Sequence, residues 1–286
     1  MKQAILITAY KNFNQLITLT NAFSKDFNIY IHIDKKSLLT REAKQELMKN
    51  VNVKYLGQDY IINWGGLNHL KAYLKLSEIA LNNKENMYFH LISGQDYPIK
   101  NNDYFKMIAN EKKDYLSYHT MPARCWNNGG MDRLEYYNFY DYFDVKKSIW
   151  PSKIRSLQKK FKFKRTINNL GKLYGGSTYW SLTRDTLHFV LNFTEENPKF
   201  LKRFKYTAIS EEIYFQTVIM NSKYSNNIVN DDLRYIDWES KRGGNPAFLD
   251  ETDFKSLICS NMLFARKIDL EKNQLIQMIK NNLSNS

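Results

Sequence analysis

The chain has 286 residues, enough for one large α/β domain or two small ones. Hydrophobic residues at 43% and aromatics at 15% supply a sizeable core and exclude a disordered chain. A formal charge of +13 favours anionic partners (phosphates, a membrane surface or nucleic acid) without choosing among them.

Ala4 to Thr8 is a short apolar run that suits a buried parallel strand. Leu16, Leu19 and Phe23 follow at helical spacing, and Asn28 to Ile33 reads as a second strand ending at Asp34. A polar surface helix is predicted over Arg41 to Lys49 and a third strand over Val51 to Leu56. After Gly65-Gly66, Leu67, Leu70, Leu74 and Leu81 line one helical face. Met87 to Ile92 is a fourth strand, closed by Ser93-Gly94 and Pro98, with Asp96 just past its end. Residues 136–148 are rich in Tyr and Phe, and 153–172 in Lys and Arg, so 136–172 reads as an insertion or lid rather than core. Regular order resumes with a strand over Ser177 to Leu182 and a helix over Thr183 to Phe193. Ser210 is placed to cap a helix from Glu211 to Asn221. A helix over Asp250 to Leu257, a strand around Met262 to Ile268 and a C-terminal amphipathic helix complete the chain. Alternating strands and helices predict a single α/β domain over 1–286, its mostly parallel sheet covered on both faces. Ligands of such sheets sit beyond the carboxyl ends of the strands.

Several common chemistries find no support. Cys125 and Cys259 lack metal-ligand spacing and are expected as buried, reduced thiols. The five histidines, His32 and His90 in strands among them, form no zinc pattern and read as ordinary structural residues. No phosphate-binding loop of the P-loop or dinucleotide type occurs. The N-terminal apolar run is too short for a signal peptide, and no stretch of about 18 apolar residues could span a bilayer. The expectation is a cytoplasmic protein, or one peripheral on the inner face of the cell membrane.

Several segments share an order worth noting: Ile31-His32-Ile33-Asp34-Lys35-Lys36-Ser37, then Trp64-Gly65-Gly66, then Leu91 to Ile99 (LISGQDYPI). Gly175-Gly176-Ser177 with Tyr179-Trp180, then Glu211-Glu212 before Phe215 and Thr217, then Leu263 to Asp269 (LFARKID) follow. Together they resemble the core-2/I-branching N-acetylglucosaminyltransferase and peptide O-xylosyltransferase family, glycosyltransferase family 14, over about residues 4–270. The resemblance implies a GT-A-type nucleotide-sugar-binding fold, a UDP-sugar donor, an inverting reaction, and neither metal nor cofactor. The sugar would be N-acetylglucosamine or xylose, with N-acetylglucosamine the leading expectation, and the acceptor a glycan or lipid-linked glycan.

The same resemblance assigns roles. Without a metal, side-chain cations must stabilise the departing UDP. No Asp-x-Asp element occurs in the chain, and Lys35 and Lys36 beside Asp34 would repel a cation. Lys267 is the expected phosphate ligand, with Arg242 in the loop Lys241-Arg242-Gly243-Gly244 and the neighbouring Arg266 as partners. Two acids opening a helix also complement its macrodipole, but the family pattern makes Glu212, ahead of Glu211, the general base. Thr8 and Asp34 correspond to positions facing the uridine, Asp96 to an acid near the donor, and Trp238 to an aromatic at the acceptor site. The basic stretch 146–172 reads as an anionic-membrane contact, an acceptor-side lid or plain solvated surface. A bias toward Lys, Asn, Ile and Tyr suggests an AT-rich bacterial genome, and for a transferase of this resemblance that context makes a bacterial surface polysaccharide the expected acceptor. The rival from another class is a polyanion- or nucleic-acid-binding module, for which charge and aromatics speak but no recognised motif does, so no nucleic acid is expected.

Overall fold

The computed structural model describes residues 2–167, 170–239, 242–269 and 274–284. Lys241 and residues 168–169 of the predicted insertion lie outside them. The strands are β1 (Lys2–Ala9), β2 (Phe27–Ile33), β3 (Val53–Gly57), β4 (Asn86–Ser93), β5 (Tyr97–Pro98), β6 (Asp114–Leu116), β7 (His119–Thr120), β8 (Tyr174–Gly175), β9 (Trp180–Thr183), β10 (Ile228–Val229), β11 (Arg234–Ile236) and β12 (Phe264–Arg266). The helices are α1 (Phe13–Thr20), α2 (Arg41–Lys49), α3 (Leu67–Asn82), α4 (Asn102–Asn110), α5 (Asp132–Glu135), α6 (Trp150–Lys160), α7 (Arg184–Glu196), α8 (Pro198–Arg203), α9 (Tyr214–Met220), α10 (Phe254–Cys259) and α11 (Leu275–Ser284).

The main sheet runs β10-β6-β9-β4-β1-β2-β3 and is parallel except for β9. Alternation along the central strands feeds two cores. Ile5, Ile7, Ile29, Ile31 and Ile92 pack with Leu16, Leu257 and Ile279 on one face. Ala4, Leu6, Tyr30, Phe89 and Leu91 pack with Leu70, Leu187 and Phe215 on the other. With both faces covered, β1 carries an apolar run over residues 4–7, and β2 is buried along its whole length. Thr8 stands level with His32 on β2 and Ser93 on β4, so three strands end in one row. A second sheet, β11-β12-β5, packs beside that row.

Most predicted elements are present, and the departures have local causes. Ser210 caps nothing: its Oγ is buried without a hydrogen-bond partner, and Ser210–Glu212 is a single 3₁₀ turn. The Glu212 carbonyl accepts from the Gly176 N–H at 2.9 Å, so it is withdrawn from the helical ladder and α9 starts only at Tyr214. The two cysteines are unpaired as expected, but both are exposed rather than buried. The segment 136–172 is more than a lid, because Tyr136, Asn138, Gln158, Arg165 and Leu170 are all buried.

One buried guanidinium locks the small sheet to the large one. Arg234 of β11 donates to Leu91 O on β4 at 2.8 Å, to Trp180 O on β9 at 3.0 Å and to Ser181 Oγ at 2.9 Å. Ser181 Oγ continues to His90, and His90 to Gln3, at 2.8 Å each, so the polar chain reaches β1. Burial pushes the Arg234 pKa down to about 10, against the opposing pull of Asp232. Arg234→Met removes the donors to these three acceptors and the positive charge beside Asp232, and its expected cost is about 3–5 kcal/mol in urea unfolding.

Candidate active site

The row of strand ends forms the floor. Thr8 lies at the end of β1, its carbonyl accepting from Gly94 N–H at 2.9 Å. Asp34 follows β2. Its Oδ1 accepts from the N–H groups of Lys36 and Ile62, both at 3.0 Å, and Lys36 Nζ stands 3.7 Å from Oδ2. It therefore clamps the loop after β3 onto the end of β2. Asp96 follows β4 and is 1% exposed. Its Oδ2 accepts from Ser93 N–H and Oγ at 2.6 Å each, while Oδ1 has no hydrogen bond and faces Arg266 Nε at 3.9 Å.

Cations gather at one side of this floor. Arg266, at the end of β12, lays its guanidinium 4.3 Å from the Tyr179 ring centroid. Lys267 follows it, its pKa lowered by burial and by the positive charges of Arg266, Lys146 and Lys11. Lys267 Nζ makes only a long contact, 3.5 Å, to Asn245 O. A lysine partly buried among the positive charges of Arg266, Lys146 and Lys11 favours an anion beside it. Arg242 is engaged differently from the phosphate ligand expected of it. Its Nε donates to Phe248 O at 2.6 Å, and its guanidinium lies 2.6, 3.1 and 3.9 Å from the carboxylates of Asp253, Asp250 and Asp237. It braces the loop beside Lys267 and balances acids already present.

A carboxylate pair occupies the other side. Glu211 is 3% exposed; its Oε1 lies 3.0 Å from His69 Nδ1, and His69 Nε2 lies 2.8 Å from the Tyr73 hydroxyl. With a carboxylate on Nδ1, the imidazole proton belongs there, leaving Nε2 to accept from Tyr73. Burial and Glu211 raise the Tyr73 pKa well above its ordinary value, so that hydroxyl stays protonated. Thr8, Arg266 and Asp96 also act on it, so Tyr73 joins the carboxylate side to the cationic side. Glu212 is the more accessible acid, its side chain 28% exposed, and Arg133 Nη1 donates to its Oε2 at 2.6 Å. Arg133 is held flat, 3.7 Å from the Trp126 ring centroid. Burial raises the Glu212 carboxyl pKa, and Arg133 pulls it back.

Glycines set this side of the site. A Cβ on Gly176 would lie 1.9 Å from Ser117 O, and one on Gly175 2.4 Å from the Trp126 ring, so only glycine lets the segment pass beneath Glu212. Gly65, at φ +73, turns the chain into α3. Asp141 of the insertion caps that helix, accepting from Leu67 N–H at 3.1 Å and Asn68 N–H at 3.0 Å. The insertion thus anchors the helix bearing His69 and Tyr73, and its Lys146 acts on Lys267.

The fold sets Thr8, Asp96 and Arg266 around Tyr73, which His69 links to Glu211; Lys267 and Glu212 are the chain neighbours of Arg266 and Glu211. Trp238 stands past β11 and is 67% exposed. Sequence reasoning missed His69 and Tyr73, although their four-residue spacing after Gly66 places them on one helix face. It also missed Arg133, for which no local pattern exists, and it placed Tyr179 in a motif segment without giving it a role. Among the described residues no group of three or more His, Cys, Asp or Glu is assembled as a metal would require.

Comparisons with known proteins agree with the family resemblance. Mouse (Mus musculus) xylosyltransferase 1 is 27% identical over 247 residues, covering 84% of this chain and 24% of that protein. Rat (Rattus norvegicus) xylosyltransferase 2 is 26% identical over 249 residues, covering 84% and 27%. The chain thus spans about a quarter of the length of these curated relatives. Among solved structures, the Saccharomyces cerevisiae mannosyltransferase Ktr4p in complex with GDP aligns at a TM-score of 0.35 and 11% identity, covering 81% of this chain and 68% of that one, too distant to inform the site. The Core-2/I-branching enzyme family model matches residues 4–259, and the chain belongs to that family.

Proposed function

We propose that this chain moves a sugar from a UDP donor to a glycan hydroxyl, with inversion and without a metal ion. The observation that carries this reading is the accessible carboxylate of Glu212 beside the Glu211–His69–Tyr73 chain, with Arg266 acting on Tyr73 from the other side and Lys267 next to it among like charges. In the proposed step, Glu212 takes the proton of the acceptor hydroxyl as that oxygen bonds to the anomeric carbon. The bond from that carbon to the β-phosphate oxygen breaks on the opposite face, and UDP leaves with the electron pair. Lys267 and Arg266, with Lys11 and Lys146 near, stabilise the added negative charge. Glu212 suits the base because it is reachable and its pKa is raised, whereas Glu211 is buried and oriented by His69. Thr8 and Asp34 are assigned to the uridine end and Asp96 to the donor side. Arg242 reaches a phosphate only by exchanging one of its carboxylates.

The absence of metal follows, in this proposal, from the donors at hand: fixed cations stand where a metal would otherwise offset the pyrophosphate. The family resemblance favours N-acetylglucosamine, and the names of the relatives favour xylose; a UDP-release screen across UDP-sugars separates them. Trp238, exposed past β11, is assigned to stack on an acceptor sugar. The acceptor is assigned to a bacterial surface glycan, free or lipid-linked. No described helix is long and apolar enough to cross a membrane, and we assign the basic stretch 146–172 to an anionic membrane surface on the cytoplasmic side.

Glu212→Gln is expected to lower turnover about 10²–10⁴-fold while UDP affinity by calorimetry stays unchanged. Because the base works deprotonated, turnover should rise with pH through the raised Glu212 pKa. Arg133→Gln removes the group that pulls this pKa down, so the rise should move to higher pH in a rate–pH profile. Lys267→Ala should weaken UDP binding by about 1.5–3 kcal/mol, and UDP release by the unsubstituted protein should persist with a chelator present. A rate that collapses on chelation would remove the metal-free assignment.

A further inference from the structure

Away from the strand ends, a cavity of about 400 Å³ opens between the end of the insertion and α8. It is lined by Tyr137, Arg165, Thr166, Lys199, Lys202 and Arg203. Four of these six carry positive charge, and none is an acid. Arg165 is 9% exposed; its Nη2 donates to Arg203 O at 2.5 Å, and its guanidinium stands 5.0 Å from the Tyr137 ring centroid. Arg203 donates through Nε and Nη2 to Thr166 O at 3.1 and 2.8 Å, while its Nη1 is buried without a hydrogen-bond partner. Among the described residues, no carboxylate forms an ion pair with any of the four cations. Burial and Arg203 bring the Arg165 pKa down to about 10. Buried, unpaired charges are costly, and paired guanidinium forks match phosphate oxygens.

An exposed aromatic residue, Phe163, adjoins this cavity. Phe163 stacks on Tyr137 at 5.7 Å with the rings 14° apart, so the pocket and the helix α6 segment share one surface. Ile149, Trp150, Leu157, Phe161 and Phe163 are all more than half exposed. Trp150, Lys153, Leu157, Lys160 and Phe161 fall on one side of α6, with Lys153 Nζ 5.5 Å from the Trp150 ring and Lys160 Nζ 6.0 Å from that of Phe161. Apolar and aromatic side chains interleaved with lysines on an exposed helix suit the headgroup boundary of a bilayer. A soluble anion would use the cations but leave this fringe in water.

We propose that the pocket of Arg165, Arg203, Lys199 and Lys202 binds the phosphate of an anionic membrane lipid, while the side chains of Trp150, Phe161 and Phe163 enter the bilayer interface beside it. Only the membrane-surface part of the proposed function enters here; the UDP chemistry does not.

The test is co-sedimentation of the full chain with vesicles of phosphatidylcholine, alone or mixed with phosphatidylglycerol. Binding is expected with the mixed vesicles only. The Lys199→Ala/Lys202→Ala double variant, whose substitutions lie on the exposed face of α8, should lose affinity about tenfold or more. Trp150→Ser/Phe161→Ser/Phe163→Ser should lose vesicle binding yet keep the wild-type affinity for inorganic phosphate. UDP affinity should be unchanged in both, which separates failure here from failure of the transferase reading. No vesicle binding by the unsubstituted chain would overturn the membrane surface together with this site. Vesicle binding that survives loss of Lys199 and Lys202 would overturn the pocket alone. Polyphosphate binding as tight as vesicle binding, insensitive to the aromatic substitutions, would make the pocket a soluble-polyanion site and overturn the lipid.

Discussion

The position of the cationic cluster depends on one buried guanidinium. Arg234 reaches out of the small sheet to carbonyls on β4 and β9, and β12, which ends at Arg266, pairs with Arg234's own strand. A charged group so enclosed persists only if nearly all its donors are used, so the angle between the sheets has little freedom. Lys267 follows Arg266 directly and inherits that placement. The cations are therefore set by the core rather than by a mobile loop, as a site requires if its charges are to stabilise a leaving group without reorganising.

Electrostatic imbalance is arranged differently at different places. Arg242 is surrounded by carboxylates and serves as a brace. Asp96 and Arg266 form a buried pair at 3.9 Å, each with an atom lacking a hydrogen bond, which leaves capacity for a further polar group. Lys267 stands among like charges. Part of the net charge of +13 stands without acids in two places, at Lys267 and in the pocket next to α8.

The insertion belongs to the architecture of the site. Asp141 caps α3, Asn63 Nδ2 donates to Tyr140 O at 2.8 Å, and Lys36 Nζ donates to Asn63 Oδ1 at 2.7 Å, so the insertion is tied to the loops after β2 and β3. The outer face of the same segment carries exposed aromatic and basic residues. One stretch of chain therefore connects the helix holding His69 and Tyr73 to the exposed aromatic and basic surface proposed to meet lipid.

What the sequence alone determined is what short-range periodicity and glycine chemistry encode: the parallel core strands, helices α2 and α3, and the order of the motif segments. These were legible because a strand covered on both faces must be apolar throughout and a helix must repeat its apolar face. The identity of the acids and cations could be read as well, in Glu211-Glu212 and Arg266-Lys267. Their partners could not, because His69 lies 142 residues from Glu211 and Arg133 79 residues from Glu212, and no local pattern records such a meeting. Only the tertiary structure decided which carboxylate is accessible, that Arg242 already has acids around it, and that Ser210 caps nothing. Each of these is settled by a hydrogen bond or charge arriving from a distant element, and such contacts exist only once the two cores and the Arg234 clamp have formed.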